Sequence, residues 1–271
     1  MKIAFIGGGN MASAMLGGLL QQGYAPNEIG VVEIAAEARQ RLVEAYGVHV
    51  FAEASDDVTS AELVVLAVKP QQLAEVAQAL AGSLRGQLVI SIAAGIRAND
   101  LARWLRGYKN IVRVMPNTPS LVQAGVAGLY AMPGVSDADR VRAEKLMRSV
   151  GEVIWVPQEA DIDAVTAVSG SGPAYVFYFI EALERAALEL GLDPTAARTL
   201  SLATFSGAAK LAASSEGSAA TLRARVTSKG GTTAAALSAM EKSNLQQLFI
   251  AAVKQAAVRS RELGDEFGKM R

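Results

Sequence analysis

The feature that most constrains the fold is a glycine turn at the end of the first apolar run. Residues 2–6 form this run and lead directly into Gly7-Gly8-Gly9-Asn10-Met11-Ala12, which matches the pattern G-x-G-x-x-A. In this pattern, Gly7 permits a tight turn, Gly9 lets a pyrophosphate approach the backbone, and the small Ala12 lets a helix pack closely on the strand. Free N–H groups at the start of that helix can bind phosphates. The spacing therefore predicts a dinucleotide-binding turn, and the alternative is a glycine-rich turn without a ligand.

The order of apolar runs predicts two domains. Up to Pro157, short β-branched runs alternate with Ala- and Leu-rich stretches, which is typical of a parallel sheet covered by helices. We predict strands near residues 2–6, 29–34, 48–51, 62–68, 87–92, 111–115, 124–131 and 152–156, and helices near residues 10–22, 36–46, 70–82, 98–106 and 136–150. After Pro157 the strand-like runs disappear, and helices are predicted near residues 159–168, 172–190, 194–214, 218–226, 231–242 and 244–266. We expect an α/β Rossmann-type dinucleotide-binding domain over residues 1–157, followed by an all-α domain over residues 158–271.

Composition narrows the possible chemistry and partners. The 26 basic and 26 acidic residues give a formal net charge of zero, so neither nucleic acid nor an anionic membrane is an expected partner. The absence of cysteine and the presence of a single histidine argue against a disulfide framework, a thiol nucleophile and a bound metal. No apolar segment approaches the roughly 20 residues that span a bilayer. The first ten residues lack a signal-peptide cleavage region, so we expect a cytoplasmic location.

One predicted helix suggests an oligomer. The residues from Tyr175 to Ile180 are apolar at every angular position around a helix, so this stretch should be buried on all sides. A helical domain of this size achieves such burial more easily when a second subunit covers part of the helix. We predict a homo-oligomer formed through the helical domain, and the alternative is a monomer with a central core helix.

Two predicted strand ends carry charged residues at the edge where ligands of such sheets bind. Glu33 ends the second predicted strand, where a carboxylate can accept hydrogen bonds from the adenosine ribose and would repel a 2′-phosphate, which favours NAD. Lys69 and Pro70 follow the fourth predicted strand, and Lys69 could contact the cofactor there. The alternatives are solvated side chains at strand ends, with Arg39 or Arg41 binding a phosphate instead.

Two further strand ends are rich in small or rigid residues. The fifth predicted strand ends in Ser91-Ile92-Ala93-Ala94-Gly95, whose small side chains would leave room for a nicotinamide ring or a substrate. Pro116 and Pro119 flank Asn117 and Thr118 after the sixth strand and should hold both in an extended backbone. Simple packing and a structural turn are the alternatives.

In the second half, one loop combines hydroxyls, glycines and a lysine immediately before a predicted helix. This loop is Val226-Thr227-Ser228-Lys229-Gly230-Gly231-Thr232-Thr233. Exposed N–H groups and the helix dipole make such a place suitable for an anion, and a substrate carboxylate is a natural ligand. The alternative is a loop with a threonine N-cap, which does not account for Gly230, Gly231 and Ser228.

Six segments occur in an order that identifies a known family. They are IGGGNMA, LAVKP, SIAAG, RVMPNTP, AVSGSGPAY and VTSKGGTT, and they extend over nearly the whole chain. Taken together they resemble pyrroline-5-carboxylate reductases, the enzymes of the last step of proline biosynthesis. The resemblance implies reduction of 1-pyrroline-5-carboxylate to L-proline with NADPH or NADH, by dimers of interlocked helical domains that can assemble further.

The resemblance also implies roles for individual residues. It places Val68, Lys69, Ala94 and Asn117 near the cofactor. It places Ser228, Thr232 and Thr233 around the substrate, with the Thr233 hydroxyl bonded to the ring nitrogen, and it suggests Glu159 as a further substrate contact. The family usually has proline where this chain has Lys229.

The expected chemistry suits a chain without an obvious catalytic histidine or cysteine. A cyclic imine can be protonated before reduction, so positioning is the main task of the protein. The alternatives are another imine reductase, a β-hydroxyacid dehydrogenase and a non-catalytic NAD(P)-binding protein. A β-hydroxyacid dehydrogenase would need a lysine acid on the predicted helix 172–190, and that stretch contains none.

Overall fold

The computed structural model describes residues 2–54 and 60–270. The chain forms two compact units, one containing the residues up to Ser171 together with those from Ala256 onward, and the other containing Gly172–Gln255. The residues just after Pro157 belong to the first unit because Ile162 and Val165 are buried, and Val165 lies against Gly128 of the sheet. The division of the chain into functional domains at residues 157 and 158 remains a prediction.

An eight-stranded sheet forms the core of the first unit. Its strands are β1 Ile3–Ile6, β2 Ile29–Val32, β3 His49–Phe51, β4 Leu63–Leu66, β5 Leu88–Ser91, β6 Ile111–Met115, β7 Gly125–Ala131 and β8 Gly151–Trp155. Their order is β3-β2-β1-β4-β5-β6-β7-β8. The direction of winding changes at β1, which pairs in parallel with both β2 and β4. In a sheet of this kind, ligands bind beyond the carboxyl ends of the strands at this switch point.

The expectation of a fully parallel sheet is wrong at one pair of strands. β6 and β7 run antiparallel, with Val114 opposite Leu129. Only residues 116–124 connect the two strands. A parallel pair requires a crossover of about a dozen residues or more, so this connection is too short to carry β7 back to the start of β6. β7 and β8 are parallel, because a helix joins them.

The helices of the first unit begin and end within three residues of the predicted bounds. They are α1 Asn10–Gln21, α2 Ala36–Tyr46, α3 Pro70–Leu80, α4 Ala98–Trp104, α5 Asp137–Arg148 and α6 Asp161–Val165, the last followed by a π-helical turn, Thr166–Gly170. Pro70 occupies the first turn of α3, where its missing N–H costs nothing. The Ser136 side chain caps α5 by accepting a hydrogen bond from the Asp139 N–H.

The second unit is helical. It contains α7 Gly172–Glu189, α8 Pro194–Ala213, α9 Ala219–Arg225, α10 Thr232–Lys242 and the first part of α11 Leu245–Gly268, whose last part belongs to the first unit. The Tyr175 and Phe179 rings lie edge-on to Phe249, with centroid distances of 5.7 and 5.6 Å. Within the described residues, no helix combines the length and apolar character needed to cross a membrane.

The apolar helix α7 is not a core helix of a single chain. Phe177 and Tyr178 are 64% and 69% exposed, and Val176 is 45% exposed. The alternative of a helix buried in the core of one chain is therefore wrong, and the homo-oligomer itself remains a prediction. The exposed aromatic face is what the prediction of a covering second subunit requires.

Candidate active site

The turn after β1 has the geometry of a dinucleotide-binding turn. Gly7 has φ +102°, and a Cβ atom there would lie 2.7 Å from the Ala67 carbonyl oxygen, so only glycine fits. Gly9 precedes α1, and no described atom lies within 4 Å of the position its Cβ would take. The first N–H groups of α1 have no partner within the helix, and no described side chain caps them. Ala12 is fully buried, as close packing of α1 requires. The turn therefore presents free N–H donors to open space, where a pyrophosphate could bind.

The structure brings Glu33 to this turn. One carboxylate oxygen of Glu33 accepts a hydrogen bond from the Gly8 N–H at 3.0 Å, and the other accepts one from the Ala35 N–H at 2.9 Å. The Arg39 guanidinium donates to the backbone carbonyls of Glu33 and Ile34 at 2.9 and 2.8 Å. The carboxylate is thus held beside the glycines at the end of β2, with a cation near its backbone.

The residues after β4 lie next to the same turn. The Ala67 N–H donates to the Ile6 carbonyl at 2.8 Å, and the Cβ position of Gly7 is 3.0 Å from the Val68 nitrogen. Lys69 has an extended backbone and precedes α3, whose first residue is Pro70. Val68, Lys69 and Pro70 therefore follow β4 at the switch point, where the sequence predicts cofactor contacts.

Ala94 and Asn117, the remaining residues predicted to contact the cofactor, follow β5 and β6. Ala94 lies in the loop after β5, next to Gly95, which has φ +75° and a Cβ position 3.0 Å from the Phe267 ring. Asn117 is buried after β6, and its side-chain oxygen accepts a hydrogen bond from the Val126 N–H at 2.9 Å. Asn117 is extended as expected, but Thr118 begins a 3₁₀ turn, so the prediction of an extended backbone is wrong for Thr118.

Glu159 has two partners in the first unit. One of its carboxylate oxygens accepts hydrogen bonds from the Ala98 N–H at 2.6 Å and from Arg113 at 2.9 Å. Substrate contact by Glu159 remains a prediction. The sequence reasoning missed Arg113, although a single arginine inside the apolar run IVRVM should have signalled a buried cation that needs a carboxylate.

The predicted substrate loop of the second unit forms a tight turn before α10. Gly230 has φ +74°, and the Gly231 N–H donates to the Ser228 carbonyl at 3.1 Å. A Cβ atom on Gly231 would lie 2.6 Å from the Ser228 hydroxyl oxygen, so this glycine makes room for that side chain. Thr232 and Thr233 open α10, which no described side chain caps, and Lys229 is exposed in the same turn. Among the described residues, no group of three histidine, cysteine, aspartate or glutamate side chains could hold a metal ion.

Comparison with known proteins decides the family. Residues 159–263 match the family model described as pyrroline-5-carboxylate reductase dimerisation, and residues 2–95 match the model described as NADP oxidoreductase, coenzyme F420-dependent. The pyrroline-5-carboxylate reductase of Pseudomonas aeruginosa is 44% identical over 99% of this chain and 98% of its own length. The chain belongs to the pyrroline-5-carboxylate reductase family.

Solved structures of pyrroline-5-carboxylate reductases agree with this assignment. The enzyme of Coxiella burnetii has a TM-score of 0.91 at 44% identity, covering 97% of this chain and 98% of that one. The Plasmodium falciparum enzyme, solved with NADP bound, has a TM-score of 0.86 at 28% identity, with coverage of 97% and 98%. The predicted family and the predicted combination of a Rossmann-type domain with a helical domain are confirmed. As a member of this family, the protein is an NAD(P)H-dependent oxidoreductase that acts on a C=N bond.

The structural likeness to a β-hydroxyacid dehydrogenase is confined to the fold. The 3-hydroxyisobutyrate dehydrogenase of Mycobacterium tuberculosis has a TM-score of 0.51 at 18% identity over 71% of this chain. Such low identity carries no information on the substrate.

Proposed function

We propose that this protein reduces 1-pyrroline-5-carboxylate to L-proline, the last step of proline biosynthesis, with NADH or NADPH as the hydride donor. The observation that carries the proposal is the 44% identity with a pyrroline-5-carboxylate reductase over 99% of the chain, which includes both the glycine turn and the loop before α10. The geometry of these two segments supports it, because each presents free N–H groups at the start of a helix.

The cofactor site in this proposal follows the edge of the sheet. The pyrophosphate binds at the glycine turn, and Glu33 accepts hydrogen bonds from the adenosine ribose with the lone pairs that the Gly8 and Ala35 N–H groups leave free. The nicotinamide end lies beyond β4, β5 and β6. The proposed cofactor residues are Gly7, Gly8, Gly9, Asn10, Met11, Ala12, Glu33, Val68, Lys69, Pro70, Ala94 and Asn117.

The substrate site in this proposal is the turn before α10. The substrate carboxylate binds the backbone of residues 230–233, where the helix dipole favours a negative charge and the Gly231 N–H is already bonded to the Ser228 carbonyl. The Ser228 and Thr232 hydroxyls contact the substrate, and the Thr233 hydroxyl accepts a hydrogen bond from the protonated ring nitrogen. This bond holds the ring in one orientation for attack at C5, and the reduced nicotinamide supplies the hydride.

No strong acid is required for this reaction. The imine nitrogen is already protonated when the hydride reaches C5, so the electron pair of the C=N bond moves onto a positively charged nitrogen and leaves a neutral amine. The protein therefore contributes binding and orientation. This explains how a chain without cysteine and with one histidine can catalyse the step.

We also propose that the protein works in the cytoplasm as a homodimer formed through the helical unit, with the dimers able to assemble further, and that it has neither nucleic acid nor a membrane as a partner. The exposed aromatic face of α7 supports the dimer, since contiguous apolar surface of this kind marks an interface. The match of residues 159–263 to a dimerisation family supports the same conclusion.

The decisive assay follows the absorbance of NADH and of NADPH separately while 1-pyrroline-5-carboxylate is added to the purified protein. We expect rapid oxidation of at least one cofactor with L-proline as the product. Folded protein that binds a cofactor but oxidises neither would point to a different imine substrate.

The role of Thr233 has its own test. Thr233→Val keeps the shape of the side chain but removes the hydroxyl, and we expect kcat/KM for the imine to fall by about 10- to 100-fold because a hydrogen bond to a charged group is lost. Thr233→Ser should retain most activity, and cofactor affinity should be unchanged in both variants. Normal turnover by Thr233→Val would remove Thr233 from the mechanism.

A further inference from the structure

A buried ion pair joins β6 to the segment just before α6. Arg113 lies in the middle of β6, opposite Ser91 at the end of β5. The side chains of Arg113 and Glu159 are only 6% and 18% exposed, and the guanidinium lies 2.9 Å from the carboxylate. A buried cation of this kind is costly unless a carboxylate compensates it, so each charge fixes the place of the other.

The same carboxylate oxygen caps α4 from a distant part of the chain. It accepts a hydrogen bond at 2.6 Å from the N–H of Ala98, the first residue of α4. The preceding residue, Arg97, provides no side-chain cap. A carboxylate at this place satisfies one of the free N–H groups of the helix and interacts favourably with its dipole.

Together these contacts fix the loop of residues 92–97. At its start, the Ile92 N–H donates to the Leu66 carbonyl at 3.2 Å. In its middle, Gly95 lies so close to the Phe267 ring that a Cβ atom would be 3.0 Å from it. At its end, Glu159 holds the Ala98 N–H. This loop carries Ala94, which the proposed function places near the nicotinamide.

We infer that Glu159 is a positioning residue for the nicotinamide end of the cofactor. Held by Arg113, it fixes the start of α4 and thereby the loop that carries Ala94, and it acts through the Ala98 N–H rather than by touching the substrate. This inference rests on the proposed function only for the site at which the nicotinamide binds. Loss of the carboxylate would leave a buried cation and an uncapped helix, and the loop would relax.

Binary complexes provide the test, because ADP-ribose contains every part of NADH except the nicotinamide. We expect Glu159→Ala to weaken NADH binding by about tenfold and to leave ADP-ribose binding within about twofold of wild type. We expect kcat to fall by about 100-fold, as for other losses of orientation. Glu159→Gln keeps an oxygen that can accept both hydrogen bonds but leaves the Arg113 charge uncompensated, so its NADH affinity should lie between those of Glu159→Ala and wild type.

A matched control removes another carboxylate that is paired with an arginine. Glu152 is 83% exposed and lies 3.4 Å from Arg148, and Glu152→Ala should change neither affinity. If Glu159→Ala does not fold, Glu159→Asp keeps the negative charge beside Arg113 but shortens the side chain by one methylene group, so its carboxylate can no longer hold both Arg113 and the Ala98 N–H at these distances. It should weaken NADH binding and spare ADP-ribose binding in the same way.

Two outcomes would overturn the inference. Equal losses of NADH and ADP-ribose affinity in Glu159→Ala would mean that the pair only supports the unit as a whole. A rise in the KM for the imine, with NADH affinity and kcat unchanged, would make Glu159 a substrate contact. The comparison of NADH with ADP-ribose does not depend on the proposed substrate, since a protein that fails to reduce 1-pyrroline-5-carboxylate can still show the selective loss of NADH binding.

Discussion

At the scale of single residues, Glu33 is the side chain expected to determine the cofactor. Its carboxylate lies beside the glycine turn, where it would repel the 2′-phosphate of NADPH. Glu33→Gln keeps an acceptor for the Gly8 N–H while removing the charge, so the ratio of kcat/KM for NADH to that for NADPH should fall by about tenfold. Glu37→Gln, in the first turn of α2, is the matched control. An unchanged ratio in Glu33→Gln would mean that Glu33 holds the glycine turn but does not determine the choice between NADH and NADPH.

The raised pKa of Tyr108 predicts how the free energy of unfolding changes with pH in the alkaline range. Burial raises the pKa of its phenol above the ordinary value of 10.0, and the Asp139 carboxylate adds to this, while a hydrogen bond with the Gly86 backbone opposes it. The folded state therefore holds the phenol proton more tightly than the unfolded state, and this stability is present below pH 10.0 and lost as the pH rises through the raised pKa. The free energy of unfolding, measured with urea across this pH range, should decline less steeply with rising pH in Tyr108→Phe than in wild type. Parallel declines would contradict the assignment.

At the scale of elements, local sequence predicts the strands and helices well and their pairing less well. Strand and helix positions follow from apolar periodicity, and their ends follow from residues such as Gly47, which ends α2 in a left-handed conformation. The antiparallel direction of β7 follows from the short connection of residues 116–124 after β6, and not from the apolar pattern of β7 itself. The contact of Arg113 with Glu159 joins residues 46 positions apart, so no local pattern contains it. The sequence predicts the parts of the candidate site that form one contiguous motif, as in the glycine turn. It does not predict contacts such as Arg113 with Glu159, whose residues come from different elements.

The turn between β1 and α1 allows stability and binding to be separated. Gly7→Ala places a methyl group 2.7 Å from the Ala67 carbonyl oxygen at a positive φ, so it should lower both the free energy of unfolding, by more than about 1 kcal/mol, and the affinity for NADH. Gly9→Ala meets open space, so stability should be unchanged while NADH affinity falls, because the methyl group occupies the approach of the pyrophosphate. Urea unfolding and NADH titration measure the two effects. Wild-type NADH affinity in Gly9→Ala would place the pyrophosphate elsewhere.

At the scale of the whole molecule, the exposed aromatic face of α7 favours a second chain as its cover. Phe177 is the sharpest probe, since it is 64% exposed in the stretch of α7, residues 175–180, that is apolar at every angle. In the proposed dimer, Phe177→Lys would bury an unpaired charge, so the mass measured by light scattering should fall from that of a dimer or larger assembly to that of the monomer. Val141→Lys is the control, because Val141 is a comparably exposed apolar residue, 66% exposed on α5 of the first unit. The Val141→Lys protein should keep the mass of the wild-type assembly. The glycine turn lies in the other unit, so NADH should still bind to Phe177→Lys. If Phe177→Lys keeps the mass of the wild-type assembly, α7 does not form the interface, and the covering of its aromatic face must come from another source.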